Sequence, residues 1–313
     1  MRIKPVSSSA PGSLMLMGEH AVLRNHLAIC AAIDHRLTVE LHPIQERVCV
    51  IDSTLQKGSF VFEALPETGP LHFVTQCIRE RFDLANEGGL KVHIRSGLPT
   101  TVGLGSSAAV VVALMHGLAL AQGRTEDLKS LQQASLAVIQ AVQGRGSGAD
   151  VAASVAGGCV AYRIEPFAMR RYAAVPPLTV FYSGAKRPTV EVVAEVDARA
   201  ALEPDHYEAL FAEMDALSVT AESALEGEDW VQLGLLMTKG QRLMAAIGVS
   251  NDRLREMLEA LGRAEGVFGA KISGSGLGDC VVALGQTPGD VLREDRVYVQ
   301  LSPNGVSGEV LCV

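Results

Sequence analysis

The stretch VGLGSSAAVVVALMHGLALA at residues 102–121 sets two glycines and two serines directly before a long apolar tract. Gly103 and Gly105 permit positive φ and a close approach of backbone to a ligand. Ser106 or Ser107 has the side chain of a helix N-cap. The apolar tract behind them predicts a buried helix near 105–122. Just upstream, LKVHIR at residues 90–95 alternates as a half-buried strand does. Strand, glycine turn and helix start therefore follow in order. Unpaired amides and the helix dipole at such a point favour an anion, and phosphate is the natural guest. From these residues alone the stretch is either a phosphate cradle or a plain Gly-Ser turn. It is not a Walker A loop, because GK[ST] is missing. It is not a dinucleotide fingerprint, because residue 108 is Ala and no acid follows at the required distance.

Three further stretches carry polar residues beside glycine. In APGSLMLMGEHAVL, residues 10–23, Glu19 and His20 follow the end of an apolar first strand. They either bind a polar substrate or sit in a surface turn. In QGRGSGADVAASVAGG, residues 143–158, Asp150 follows three glycines. It either serves as a general base on a hydroxyl or caps a helix. In KISGSGLGDC, residues 271–280, a glycine loop either covers a ligand or turns between elements. There is no GxSxG nucleophile elbow and no metal cage. The shared theme is backbone-rich anion cradles plus one acidic residue.

Composition narrows the class. The chain has 313 residues, of which 48% are hydrophobic and 20% charged, so a two-domain globular protein is expected. The net charge of −8, with no basic block, argues against nucleic acid and membrane surfaces as partners. Six cysteines without a CxxC read as buried free thiols in a reduced compartment. No signal core and no run long enough to span a bilayer are present. A cytoplasmic location is expected.

Element patterns give an α+β organisation in two lobes. Strands are expected at 36–41, 47–52, 90–95, 158–164 and 178–184, and at the edges of the 271–280 loop. Helices are expected at 73–86, 105–122, 128–143, 189–201, 206–226, 229–247 and 251–265. The Pro-containing stretch after residue 164 marks the boundary between domains 1–168 and 169–313. Asn304-Gly305 reads as a turn between two β-prone runs.

Taken in order and spacing, APGSLMLMGEHAVL, LPTTVGLGSSAA and KISGSGLGDC resemble the three motifs of the GHMP small-molecule kinases. GEHAVL is similar to the mevalonate kinase branch, and SGAD followed by GG resembles that branch's active-site loop. The resemblance implies an N-terminal nucleotide-binding lobe and a C-terminal ferredoxin-like lobe. It implies ATP and Mg²⁺, with transfer of the γ-phosphoryl to the 5-hydroxyl of mevalonate. Other GHMP kinases, phosphomevalonate kinase among them, and a non-catalytic ATP-binding homologue are the alternatives. By the same resemblance, Thr101, Val102, Gly103, Leu104, Gly105, Ser106, Ser107, Gly274 and Gly276 would bind ATP. Ser107 would also touch the metal. Asp150 would be catalytic, and Glu19, His20, Lys186 and Thr189 would meet the substrate. The helices of the second half offer a face for a homodimer, though no residue pattern marks one.

The sequence departs from the family pattern at four places. Ser13 stands where a Lys is usual, and Ile139 where a metal-binding Glu is usual. Val110 replaces a frequent Tyr, and Asp279 replaces a Gly in the third loop. Arg145 or Lys186 is the candidate to supply the charge that Ser13 lacks. Asp279 would repel phosphate unless it faces away or helps to hold metal.

Overall fold

The structure, a computed structural model, describes residues 3–54, 56–83, 88–98 and 102–312. Its first sheet is built on two long strands, β1 (Val6–Met17) and β2 (Ala28–Ile44), paired antiparallel. β2 begins well before the expected strand at 36–41. Its first half, from Ala28 to Ile33, is buried on both faces, so no alternation marks it. The sheet continues through β3 (Cys49–Ser53), β4 (Lys57–Phe60) and β5 (Gly89–Ser96). β5 pairs antiparallel with β2 and parallel with β3. The inner half of β2 also pairs with β6 (Cys159–Arg163), which in turn pairs with β7 (Ala168–Tyr172).

Among the described residues, four α-helices belong to this lobe: α1 (His72–Arg81), α2 (Ser106–Ala121), α3 (Leu128–Gln143) and α4 (Ala149–Ala156). α2 lies on β1 and β2 and is flanked by the other three. It is buried on nearly every side, with Val111, Val112, Ala113 and Leu114 at 0% exposure. That is why its sequence is apolar all round instead of striped. α1 ends at Arg81, earlier than expected, and residues 84–86 of that expectation lie outside the described residues.

The second sheet contains β8 (Leu178–Tyr182), β9 (Val267–Ser273), β10 (Cys280–Gly285) and β11 (Arg296–Val297). Their order is β11-β8-β10-β9, all antiparallel, which is the 4-1-3-2 order of a ferredoxin-like sheet. Between β8 and β9 run α5 (Thr189–Leu202), α6 (Pro204–Glu226), α7 (Trp230–Ala246) and α8 (Asp252–Gly262). All four fall within a few residues of their expected positions. Among the described residues, no helix is long and apolar enough to cross a membrane.

Two expectations are corrected here. The boundary at 168/169 falls on the first residue of β7, and β7 is hydrogen-bonded to β6 in the first sheet. An edge strand carrying Arg170 and Arg171 outward has no apolar alternation and reads as linker. The sheets divide between Tyr172 and Leu178 instead. The second correction concerns Asn304-Gly305, whose flanking runs do not pair with each other. β11 joins the second sheet, and β12 (Ser307–Val310) crosses back to edge β1 in the first. Arg36 holds this returning tail through the carbonyls of Asn304 and Gly305.

Candidate active site

A cleft of about 220 Å³ opens between the lobes, lined by the turn after β1, the start of α2, the loop before α4, and two loops of the second lobe. All four stretches singled out in the sequence meet there. Among the expected site residues, Glu19, His20, Gly103, Gly105, Ser106, Ser107, Asp150, Lys186, Thr189 and Gly274 line the cleft. Thr101 lies outside the described residues. Val102 and Leu104 turn their side chains into the core instead, at 8% and 0% exposure. Gly276 packs against Val249, where an added Cβ would come within 2.5 Å of the carbonyl oxygen. These three shape their loops from behind.

The α2 terminus is open toward an anion. Its N-cap is Gly105, at φ 70°, and no side chain caps it. Ser106 and Ser107 are therefore the first residues of the helix, with their amides among the unpaired donors of its first turn. The loop is pinned from below by the Ser13 amide, which donates to the Leu104 carbonyl at 3.0 Å.

Asp150 stands in the first turn of α4, whose N-cap is Gly148, so the capping alternative does not hold. Its carboxylate is open to the cleft and accepts a hydrogen bond from the Ser13 hydroxyl at 2.9 Å. Ser13 itself is buried. A register shift in β1 between Pro11 and Ser13 gives the local irregularity that aims it there. Enclosure by protein pushes the Asp150 carboxyl above the usual range, the Ser13 hydrogen bond and the Lys186 charge draw it back, and Asp279 adds to the rise. Of the two candidate cations, Lys186 is the one whose charge reaches Asp150. Arg145 also lines the cleft but is bound to Asp197 at 2.9 Å.

Glu19 and His20 are already engaged. Glu19 forms a buried ion pair with Lys271 of β9, at 4% and 1% exposure. Burial lowers the Lys271 pKa, and Glu19 opposes that shift. The His20 Nε2 lies 2.8 Å from the Ser275 carbonyl, so it carries the proton and donates. Burial lowers the His20 pKa, and the ring is neutral near pH 7. Its Nδ1 is buried with no hydrogen-bond partner among the described residues. Met15 donates its amide to the Ser273 hydroxyl at 3.0 Å, a third tie between the lobes. Ser273 and Ser275 were not among the expected site residues, unlike the glycines of KISGSG beside them. Those serines alternate with the glycines and face the cleft.

Among the described residues, no group of three or more acidic, His or Cys side chains could hold a metal. Ile139 does face the cleft, at 8% exposure, and brings no oxygen.

The family model described as GHMP kinases N terminal domain matches residues 72–158, and that described as GHMP kinases C terminal matches residues 221–294. A mevalonate kinase of Pyrococcus furiosus is 32% identical over 89% of each chain. The chain belongs to the GHMP kinases. A second GHMP relative, a mevalonate kinase of Aeropyrum pernix, is 31% identical over 97% of this chain and 95% of its own. The crystal structure of Methanococcus jannaschii mevalonate kinase shares the GHMP kinase fold, with a TM-score of 0.80 over 95% of this chain and 98% of its own, at 23% identity.

Proposed function

We propose that this GHMP kinase transfers the γ-phosphoryl group of ATP to the 5-hydroxyl of mevalonate. One observation carries the reading: Asp150, bonded to Ser13, faces the same cleft as the uncapped N-terminus of α2. The similarity to relatives named mevalonate kinases supplies the alcohol.

Phosphoryl transfer asks for positioning and charge neutralisation more than covalent chemistry. The loop at 103–107 receives the phosphates on amides and serine hydroxyls, and Gly274 borders them from the second lobe. Asp150 takes the hydroxyl proton as the alcohol oxygen bonds to the γ-phosphorus. The bond from that phosphorus to the β-phosphate oxygen breaks, and ADP leaves. Ser13 orients the carboxylate, and Lys186 supplies positive charge beside the reacting groups. Thr189 borders the substrate, while Glu19 and His20 form a wall fixed by Lys271 and Ser275. Bound with the nucleotide, Mg²⁺ would neutralise phosphate charge. Ser107 and the Asp150 carboxylate would hold it, a sparse set that suits an ion kept mainly by phosphate and water.

A phosphorylated substrate fits less well. Among the described lining residues the Lys and Arg side chains are Lys186 and Arg145, and Arg145 is bound to Asp197. Those cations match one carboxylate and an ATP tail better than a second phosphate group.

The test is ATP consumption with Mg²⁺ across mevalonate, phosphomevalonate, homoserine and sugars. Turnover is expected with mevalonate. Turnover confined to another alcohol, or to none, overturns the reading. Asp150→Asn is expected to keep fold and ATP binding while losing about 10²-fold or more in kcat, a typical contribution of a general base. Near-normal turnover in that variant would remove Asp150 from the chemistry.

A further inference from the structure

Asp279 places a carboxylate inside an anion site. Its backbone is fixed by two bonds to the loop after β8: its amide donates to the Ala185 carbonyl at 2.6 Å, and its carbonyl accepts from the Ser183 amide at 2.9 Å. From there the side chain reaches across the cleft. Oδ1 accepts the Gly103 amide at 2.7 Å, and Oδ2 lies 3.8 Å from the Lys186 Nζ. The residue is 7% exposed. The approach is so close that a Cβ on Gly103 would fall 1.8 Å from Oδ2.

A carboxylate oxygen and a phosphate oxygen make the same demand on an amide and an ammonium. Gly103 heads the loop read above as the phosphate cradle, and Lys186 is a cation of that cleft. Two anions cannot share one amide in a site this enclosed without strong repulsion. We infer that Asp279 is a built-in phosphate surrogate, which holds the Gly103 amide and Lys186 until the ATP tail displaces it. The inference rests on the reading of 103–107 as the ATP loop and deepens it: nucleotide affinity is set below what the loop itself would give. The cost follows from competition, since a ligand binds only the fraction of molecules whose site is free of the carboxylate. Displacement also returns Lys186 to the phosphates, so Asp279 ties the lobes together before nucleotide arrives and releases the cation when it does.

The test is calorimetric titration of ATP, without an acceptor alcohol, into the full chain and two variants. Glycine and asparagine both tolerate the left-handed backbone at Asp279, φ 69°. Asp279→Gly removes charge and acceptor together and is expected to bind ATP at least about tenfold more tightly, the scale of one charge-assisted hydrogen bond. Asp279→Asn keeps an acceptor oxygen and loses the charge, so its affinity is expected between the two. Circular dichroism melts check that both variants fold. Unchanged or weaker ATP binding in Asp279→Gly overturns the inference. Weakening seen only with Mg²⁺ present makes Asp279 a metal ligand, which overturns it too. An unmodified chain that binds no ATP refutes the kinase reading and this inference with it, whereas an unmodified chain that binds ATP as tightly as Asp279→Gly refutes this inference alone.

Discussion

Ser13 looks like a loss when only charge is counted, because a hydroxyl cannot replace an ammonium. Its geometry gives it a different use. The hydroxyl donates to Asp150 at 2.9 Å and so stabilises the charged carboxylate against the enclosure that pushes its pKa up. This has a consequence for pH. The proposed base acts as the carboxylate, so kcat falls as pH drops through the raised Asp150 pKa. Ser13→Ala removes an interaction that favours the charged form, which raises that pKa further. The acid limb of the kcat profile is therefore expected to move to higher pH in Ser13→Ala. A limb that stays in place or moves to lower pH would show that the bond does not govern the base. At this scale the residues that meet in the cleft were largely legible, because Asp150, His20 and the α2 serines are polar residues set beside glycine turns. The Ser13–Asp150 bond was not legible. It joins residues 137 positions apart, and nothing local in either stretch points to the other.

The elements that bear the site were legible where burial is one-sided or where the pattern is long. α3, α6 and α7 fall within two residues of expectation because their apolar positions recur over several turns. The first half of β2 and all of β7 were not, for opposite reasons: residues 28–33 are buried on both faces, and β7 is an exposed edge. The turn into α2 shows how an element end becomes a site. Gly105 sits at φ 70°, and a Cβ there would lie 2.0 Å from the Ser13 Oγ. One glycine thus lets the helix start lie against the residue that holds Asp150. Gly105→Ala is expected to destabilise the fold by about 1–3 kcal/mol, the cost of a strained backbone residue. It is also expected to weaken ATP binding and slow turnover together, since the added methyl pushes both the loop and Ser13. Denaturant unfolding and ATP titration check this. Lost stability with ATP affinity and kcat intact would mean that the loop's position does not depend on this contact.

Across the molecule, two sheets are visible but two independent bodies are not. The main core runs from Val39 and Leu114 of the first lobe to Leu225, Met237 and Val282 of the second. The chain returns from β11 to edge β1 with β12, and Ser302 exchanges backbone hydrogen bonds with Ala32 and Gly158 on the way. This return was hidden in the sequence, because Asn304-Gly305 carries a hairpin signal that only the competing edge of β1 overrides. At the base of the cleft the Glu19–Lys271 pair crosses from β1's end to β9 with both partners almost fully buried. A shared core, a returning strand and a buried ion pair couple the lobes, so neither can unfold and leave the other's apolar surface covered. Scanning calorimetry of the full chain is therefore expected to show one transition. Lys271→Met leaves the Glu19 carboxylate buried without its partner and is expected to cost about 3–5 kcal/mol. That loss should appear as a shift of the single transition, because the pair belongs to both lobes at once. Adding Glu19→Gln to Lys271→Met should recover part of the loss by removing the stranded charge. Two resolved transitions in the unmodified chain, or a Lys271→Met effect confined to one of them, would show that the lobes fold apart and that the cleft between them is held by local contacts alone.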